Sequence, residues 1–247
     1  MKRIVFALAC ILIASAGAHA QQQPATGTPK PAESLLVPSY PGDTPWKQIT
    51  NARNNQGQLV EWIPSDQSPD DIKDILTEQV FIQLKSESPA MFLGGFLKRV
   101  GEACERARTN GLKEASENGY RIAYAQAYCT NQKGAGKDVD IFIKAIGGND
   151  ALYVVQREFR RSARPGATPG ITTFSADQMG EMAARLKAQG DANRFLVDKV
   201  RLCPSSMDVG RCADSGASGN TTPASGTANP VATAFAFAVH RRQVDGR

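Results

Sequence analysis

The chain has 247 residues, 41% of them hydrophobic, and a formal net charge of +5. That length is enough for one domain of ordinary size, and so small a charge does not favour nucleic acid as the main partner. No apolar run beyond the N-terminus approaches the roughly eighteen residues of a membrane-spanning helix. We therefore expect no nucleic-acid partner and no integral membrane segment in the mature chain.

The first twenty residues have the three parts of a secretory signal peptide. Lys2 and Arg3 precede a short apolar run, and Ala18-His19-Ala20 matches a cleavage site. We therefore expect residues 1–20 to be removed and the mature chain to begin at Gln21, in a periplasmic or secreted location. Removal takes two of the 29 basic residues and none of the 24 acidic ones, so 27 against 24 leaves a net charge of +3.

Both ends of the mature chain lack the apolar periodicity of a folded domain. Residues 21–45 contain six prolines, which predicts an extended, disordered tether. Residues 213–247 begin with Gly, Ser, Thr, Ala and Asn, which predicts a flexible low-complexity tail. Residues 231–239 alternate as a strand would, and the sequence leaves their role open. The expected folded body is residues 46–212.

The first part of this body is predicted as one strand and two helices. The strand covers residues 58–63, whose side chains alternate in polarity. A first helix is expected to begin at Ser68-Pro69 and to carry apolar residues at helical spacing over residues 72–84. Ser88-Pro89 predicts a second helix, with an apolar stripe that extends through Cys104 to Ala107.

Three strands follow, over residues 120–129, 139–146 and 152–160. The turn Gly147-Gly148-Asn149-Asp150 joins the last two, and residues of these types tolerate positive φ. The order of elements lacks strict strand–helix alternation. It therefore predicts a single-domain α+β fold, in which about three helices cover an antiparallel sheet.

A capping box at Ser175–Gln178 predicts the third helix. Gly190 is expected to interrupt it, and residues 195–202 are compatible with either helix or an edge strand. Its apolar stripe is expected to continue the core through Met179, Met182, Ala183 and Leu186.

Four cysteines remain after removal of the signal peptide. An even number in an oxidising compartment predicts two disulfides, which can pair in three ways. Cys203 and Cys212 lie nine positions apart in a stretch that suits local loop closure, which leaves Cys104 with Cys129. A zinc site is the alternative, but the spacing lacks C-x-x-C and no histidine is near.

Several motifs between residues 46 and 203 are similar to those of an uncharacterised family of exported, periplasmic proteins from Gram-negative bacteria. The most specific spans residues 143–160, IKAIGGNDALYVVQREFR, and contains the hairpin turn. Glu61-Trp62-Ile63-Pro64 and Val200-Arg201-Leu202-Cys203 are two others. The resemblance implies export and a single compact domain, and it carries over no catalytic residue.

Histidine chemistry is absent from the expected folded body, because His240 in the tail is the only histidine after processing. Ser-His-Asp, Cys-His and His-zinc arrangements are therefore excluded there, and no nucleotide-binding or nucleophile-elbow motif occurs. Paired carboxylates could cleave glycosidic bonds without histidine, and the candidates are Glu61, Glu78, Glu102, Glu117 and Glu158. Nothing in their spacing brings two together, so we expect no catalytic residue, metal site or cofactor.

An arginine run near the end of the last predicted strand is one candidate binding group. Arg157, Arg160 and Arg161 could clamp an acidic protein surface or an anionic glycan through bidentate hydrogen bonds. The same run could instead be a charged sheet edge that prevents aggregation. Alternation places Arg157 and Arg160 on opposite faces.

Aromatic residues on the predicted strands are the second candidate group. Trp62, Tyr120, Tyr124, Tyr128 and Tyr153 could form a recognition face, with Trp62, Tyr124 and Tyr153 as the candidate binding residues, because tyrosine offers contact area at low entropic cost. The alternative is that they form core beneath a helix.

Export, disulfides and the lack of a catalytic constellation together predict a periplasmic binding module. Its expected partner is an envelope protein, as for an inhibitor or an immunity-type protein. Two alternatives remain open, a cell-wall-active hydrolase that uses paired carboxylates and a carrier that holds a small apolar ligand between sheet and helices.

Overall fold

The computed structural model describes residues 33–37, 44–163 and 175–214, which all fall in one unit of the chain. The expected signal peptide, most of the expected tether and the tail from residue 215 onward lie outside the described residues.

The described residues form ten strands and three α-helices. The strands are β1 (Glu33–Leu36), β2 (Trp46–Asn54), β3 (Gly57–Pro64), β4 (Asp74–Phe81), β5 (Cys104–Thr109), β6 (Lys113–Glu117), β7 (Tyr120–Gln132), β8 (Lys137–Gly147), β9 (Leu152–Ser162) and β10 (Arg201–Pro204). The helices are α1 (Pro89–Ala103), α2 (Ala176–Arg194) and α3 (Val209–Asp214), with a 3₁₀ turn at Ile82–Leu84 and a π-helical turn at Phe195–Lys199.

Eight of the strands form one antiparallel sheet in the order β2-β3-β4-β9-β8-β7-β5, and β6 pairs with β7 beyond the end of β5. β1 and β10 form a separate two-stranded antiparallel ribbon. The predicted α+β class is confirmed, although more of the described fold is sheet than helix.

One face of the sheet, which we call the α1 face, is packed by α1. Leu93 on the helix is completely buried there. Several of the strand residues beneath the helix are alanines, whose small side chains let a helix approach closely: Ala123, Ala125, Ala127 and Ala145.

The opposite face, which we call the α2 face, is covered by the end of α2, the π-helical turn and the β1–β10 ribbon. Ala192, Phe195 and Leu196 pack there against core residues such as Phe142 and Tyr153. Burial of both faces explains why β8 and the first half of β9 read as nearly continuous apolar runs.

The helix predicted over residues 72–84 is wrong, because β4 occupies most of that segment. β4 pairs along its length with both β3 and β9. Its consecutive residues Ile75, Leu76 and Thr77 are all buried, since a strand inside a sheet covered on both sides buries neighbours in sequence. The apolar spacing fits either structure, and long-range pairing decides between them.

The other two predicted helices exist with different ends. α1 begins at Pro89 as expected but stops at Ala103, and the chain continues as β5. The capping box at Ser175 is confirmed. Gly190 does not interrupt α2, which reaches Arg194 and passes into the π-helical turn before β10 begins.

The expected buried stripe on α2 is wrong, because Met179, Met182, Ala183 and Leu186 are all exposed. Met179, Met182 and Leu186 are 56%, 40% and 62% exposed. Arg185 and Gln189 fix the middle of α2 to the sheet through hydrogen bonds to Asp140.

The three strands predicted between residues 120 and 160 are confirmed as β7, β8 and β9. The turn between β8 and β9 does not contain a residue with positive φ, so the expected reason for its glycines is wrong. A Cβ atom on Gly148 would lie 2.2 Å from Oε1 of Glu33. Glycine is therefore needed for close approach of another segment.

That approaching segment lies within the expected tether. Residues 33–36 are the strand β1, paired with β10, and Glu33 is only 1% exposed. The tether prediction is therefore wrong at these four residues, because their polar and apolar side chains find partners distant in sequence.

Both predicted disulfides are confirmed, Cys104–Cys129 and Cys203–Cys212. Stable disulfides indicate an oxidising, non-cytoplasmic compartment. Within the part of the chain that the structure describes, no helix has the length and apolar composition needed to cross a membrane.

Candidate binding groove

A groove of about 550 Å³ lies on the α2 face, between the first half of α2 and the sheet edge made by β5 and β7. We call it the basic groove. Its most prominent side chains are three arginines, one tyrosine and two apolar residues: Arg106, Arg108, Arg185, Tyr128, Met182 and Leu186.

β5 supplies two of the arginines because alternate residues of a strand share a face. Arg106 lies opposite Thr130 and Arg108 opposite Tyr128 on β7. Both arginines are exposed. Neither has a hydrogen-bond or ion-pair partner among the described residues, so both guanidinium groups can receive a ligand.

α2 supplies the opposite wall. Met182 and Leu186 are four residues apart and therefore lie on one side of the helix, and both are exposed. An apolar strip thus runs beside the arginines of β5.

Asp140 of β8 holds this wall in place. Arg161 donates two hydrogen bonds to its carboxylate, at 2.7 and 3.0 Å, and Arg185 donates two more, at 3.0 and 2.8 Å. Gln189 donates a fifth at 2.7 Å. Arg185 and Gln189 lie on α2, so one carboxylate fixes the helix to the sheet.

The protonation of Asp140 follows from these contacts. Burial raises the pKa of Asp140, but the hydrogen bonds from Arg161, Arg185 and Gln189 outweigh burial and lower it below its ordinary value. The Asp140 side chain is 2% exposed, so its negative charge is compensated by these partners and is not presented to solvent. Since none of the described residues that line the basic groove carries a carboxylate, these residues give the groove a positive charge.

Tyr128 forms the floor of the groove. Its hydroxyl donates to Oε1 of Gln126 at 3.1 Å. Burial, with the nearby charge of Asp140, raises the pKa of Tyr128 above its ordinary value. Tyr128 therefore contributes a neutral aromatic surface at neutral pH.

The predicted arginine group is divided by the structure. Arg161 donates to Asp140 together with Arg185 and Gln189, a set of contacts that we call the Asp140 anchor. Arg157 is 6% exposed and donates to both carboxylate oxygens of Asp74, at 3.0 and 2.7 Å. Its guanidinium carbon lies 4.7 Å from the centroid of the Phe159 ring. Its position is thus set by contacts within the fold.

Arg160 lies on the α1 face, opposite Val139 of β8. It donates two hydrogen bonds to Glu158, at 2.9 and 2.7 Å. The alternation expected for Arg157 and Arg160 therefore holds in the structure, and the two residues cannot act on one ligand.

Of the predicted aromatic group, Tyr128 lines the groove, Tyr120 is buried in the core of the α2 face, and the other three residues lie outside the groove. Tyr153 is 7% exposed within the core of the α2 face, and Trp62 packs against that core. Tyr124 is partly buried, with the ammonium group of Lys113 6.0 Å from its ring centroid. The structure does not bring these three residues into one exposed surface.

The structure places the candidate carboxylates in different surroundings. Glu61 accepts a hydrogen bond from Thr50 at 2.6 Å and lies opposite Thr77 of β4. Glu158 is bound by Arg160, and Glu78 lies on the α2 face beside Val155. Glu61 and Glu158 both lie on the α1 face, Glu102 is exposed on α1, and Glu117 pairs with Lys144 and Arg201.

A second charged cluster is buried beneath the π-helical turn. The Nζ atom of Lys144 donates to Glu117 and to the carbonyl of Val200, each at 2.8 Å. Arg201 pairs with the same glutamate at 2.8 Å. Burial lowers the pKa of Lys144 to about 8, against the opposing effect of Glu117. The cluster therefore holds the π-helical turn that follows α2, because Lys144 and Arg201 both donate to the carbonyl groups of Val197 and Val200.

Sequence reasoning missed Arg106 and Arg108. The alternation in Cys-Glu-Arg-Ala-Arg-Thr, residues 104–109, is the signal that identifies a strand with both arginines on one face. It was overlooked because Cys104 and Ala107 also continue the helical stripe of α1.

Neither a family model nor a curated protein matches the chain. Among solved structures, it is similar to the crystal structure of PA94 from Pseudomonas aeruginosa, a protein of unknown function. The two are 12% identical, and the alignment covers 58% of this chain and 94% of that chain with a TM-score of 0.30. A likeness at this score carries no argument about this chain.

Proposed function

We propose that the protein is an exported, periplasmic binding module whose basic groove holds an acidic segment of an envelope protein. The observation that carries the proposal is the pair Arg106 and Arg108, exposed and without ion-pair partners among the described residues, beside the apolar strip of Met182 and Leu186.

The spacing of the two arginines fits an extended peptide. Side chains at alternate positions of a strand are separated by about 6.5 Å, which is also the spacing of alternate residues in an extended ligand. Arginine binds carboxylate through two parallel hydrogen bonds. A segment with carboxylates two residues apart can therefore pair with both Arg106 and Arg108.

The apolar strip favours a peptide over an anionic glycan. A peptide can place an apolar side chain beside its carboxylates, and each Å² of apolar surface that Met182 and Leu186 remove from water contributes about 25 cal/mol. A sugar chain offers mainly hydroxyl groups to the same wall.

The periplasmic location rests on the predicted signal peptide, the resemblance to exported proteins and the two disulfides. A module of this kind would act as an inhibitor or immunity-type protein when its partner is an envelope enzyme or toxin.

Titration of the isotopically labelled chain with short peptides tests the site. The probes are blocked Leu-Glu-Leu-Glu-Leu and its glutamine analogue Leu-Gln-Leu-Gln-Leu, monitored by NMR. We expect shifts centred on Arg106, Arg108 and Leu186, with the glutamine peptide at least tenfold weaker. Equal affinity of the two peptides would contradict the proposal.

Two double variants provide the control. Arg106→Ala/Arg108→Ala is expected to abolish binding of the glutamate peptide. Arg53→Ala/Lys85→Ala removes the same charge from exposed positions elsewhere and is expected to retain it. A sulfated tetrasaccharide that binds the groove more tightly than the peptide would show that the ligand class is wrong.

A further inference from the structure

The carboxylate of Glu33 is bound by a set of donors that the rest of the fold provides. The backbone N–H groups of Asn149 and Asp150 donate to its two oxygens, each at 2.9 Å. Burial and the nearby charge of Glu33 raise the pKa of Tyr120 and Tyr153, so both phenol groups lie close to the same carboxylate. A carboxylate accepts several hydrogen bonds, so the two backbone donors and the adjacent phenols form a recognition site for one anionic side chain.

The β8–β9 turn is shaped for this contact. Gly148 leaves the space that Glu33 occupies, since a Cβ atom there would meet Oε1 at 2.2 Å. Burial and the charge of Glu33 raise the pKa of Tyr120 to about 12, so its hydroxyl remains a donor throughout the physiological range.

The remaining attachment of β1 is strand pairing and two apolar contacts. β1 pairs with β10 through four residue pairs and with no other described strand. Leu35 and Val37 pack at the margin of the α2-face core. This combination, main-chain pairing plus a pocket for one side chain, is how a sheet edge recognises an added peptide strand.

We propose that the edge of β10 and the β8–β9 turn form an acceptor site for an extended Glu-x-Leu segment, and that this site also takes β1 from a second copy of the chain. A second copy presents the same glutamate and leucine, so every contact of the chain's own β1 is reproduced between copies. Reciprocal exchange gives a closed two-fold dimer. None of the residues of the acceptor site lines the basic groove, so the inference is independent of the proposed function.

Cysteine pairing between copies tests the exchange. Leu35 and Leu202 face each other across β1 and β10, at a separation that permits a disulfide. We mix full chains that carry Leu35→Cys alone with full chains that carry Leu202→Cys alone, at millimolar concentration under mild oxidation. Mass mapping is expected to find the 35–202 cross-link between copies.

The double variant Leu35→Cys/Leu202→Cys shows that the geometry permits the bond within one chain. If that chain cross-links internally while the mixed single variants do not, exchange is overturned. Chains with Leu35→Cys mixed with chains with Met91→Cys, an exposed position on α1, are expected to remain unlinked.

The chemistry of the acceptor site is tested with the synthetic peptide Pro-Ala-Glu-Ser-Leu-Leu-Val, which repeats residues 31–37. It is expected to bind the full chain with Glu33→Ala, and a peptide with glutamine in place of glutamate is expected to bind at least tenfold more weakly. Adding Gly148→Ala to that chain is expected to remove binding. Equal binding of the two peptides would overturn carboxylate recognition.

If the Glu33→Ala chain does not fold, the wild-type chain provides an independent test of the acceptor site. Excess glutamate peptide is expected to displace β1 and to make residues 33–37 susceptible to protease. The glutamine peptide is expected to leave them protected, and the same susceptibility with both peptides would overturn the inference. Arg106→Ala/Arg108→Ala is expected to change neither result.

Discussion

The two faces of the sheet differ in the kind of contact that covers them. The α1 face is joined to its helix by apolar packing around Leu93. The α2 face carries the buried charged residues of the described chain: Glu33, Asp140, Lys144, Arg157 and Arg201.

The two kinds of contact have different effects on the fold, because one mainly adds stability and the other mainly fixes the position of an element. Apolar packing contributes free energy without demanding one geometry, whereas a buried carboxylate such as Asp140 is satisfied only when its donors sit at defined places. Apolar packing on both faces therefore contributes to stability, whereas the buried charged contacts of the α2 face fix where α2 and the ribbon lie. The basic groove exists because Asp140 holds α2 above the edge of the sheet.

The largest effect is expected from a cavity on the α1 face. Leu93→Ala removes a completely buried side chain, and the free energy of unfolding is expected to fall by about 3 to 4 kcal/mol. Denaturant titration measures this. Met91→Ala, on the same helix but 53% exposed, is expected to cost less than about 0.5 kcal/mol. Equal losses would contradict the assignment of this face.

The disulfides rank next. Cys104–Cys129 closes a loop with a sequence separation of 25, and Cys203–Cys212 one of 9. From loop-closure entropy, the free energy of unfolding is expected to fall by about 3.5 kcal/mol when alanines replace the first disulfide and by about 2.5 kcal/mol when they replace the second. Thermal or denaturant unfolding of the two double-alanine variants checks this order.

Loss of the Asp140 anchor is expected to lower the free energy of unfolding by about 2 to 3 kcal/mol. Asp140→Asn leaves Arg161 and Arg185 without their counter-charge, although their 34% and 44% exposure lets water compensate in part. Hydrogen exchange is expected to accelerate in the first half of α2. Asp71→Asn, at a carboxylate 57% exposed, is the control and should change stability by less than about 1 kcal/mol. Unchanged exchange in α2 would show that Asp140 does not position it.

Lys144 makes a smaller, pH-dependent contribution. Its pKa of about 8 in the folded protein lies below its ordinary value of 10.5, so the unfolded chain binds more protons between these values. Stability therefore rises with pH over that window, by about 2 kcal/mol from pH 8 to 10.

The comparison with Lys144→Met isolates this slope. The variant is expected to lose the rise between pH 8 and 10, while Lys85→Met at an exposed position keeps it. The raised pKa of Tyr120 acts in the opposite direction, because the folded state then holds the extra proton, but only above pH 10. An identical pH profile for the wild type and Lys144→Met would refute the assignment.

Elements specified by local signals were predictable. The strands β3, β7, β8 and β9 follow from polarity patterns and turn residues, and the starts of α1 and α2 follow from Ser-Pro and the capping box. The disulfides follow from an even cysteine count and loop length. In each case the deciding information lies within a few residues.

Elements specified by distant partners were not predictable. β4 is a strand because β3 and β9 flank it, and β1 is ordered because Glu33 meets a turn 116 residues away. The groove was missed for the same reason. It depends on where α1 ends and on Asp140 reaching α2, and neither follows from the pattern of one segment.

Charge reversal in the basic groove tests the central claim most directly. The dissociation constants of blocked Leu-Glu-Leu-Glu-Leu and Leu-Lys-Leu-Lys-Leu are measured by calorimetry on the wild-type chain and on Arg106→Glu/Arg108→Glu. We predict that the wild type prefers the glutamate peptide at least tenfold and that the variant prefers the lysine peptide. The same preference in both chains would contradict the account.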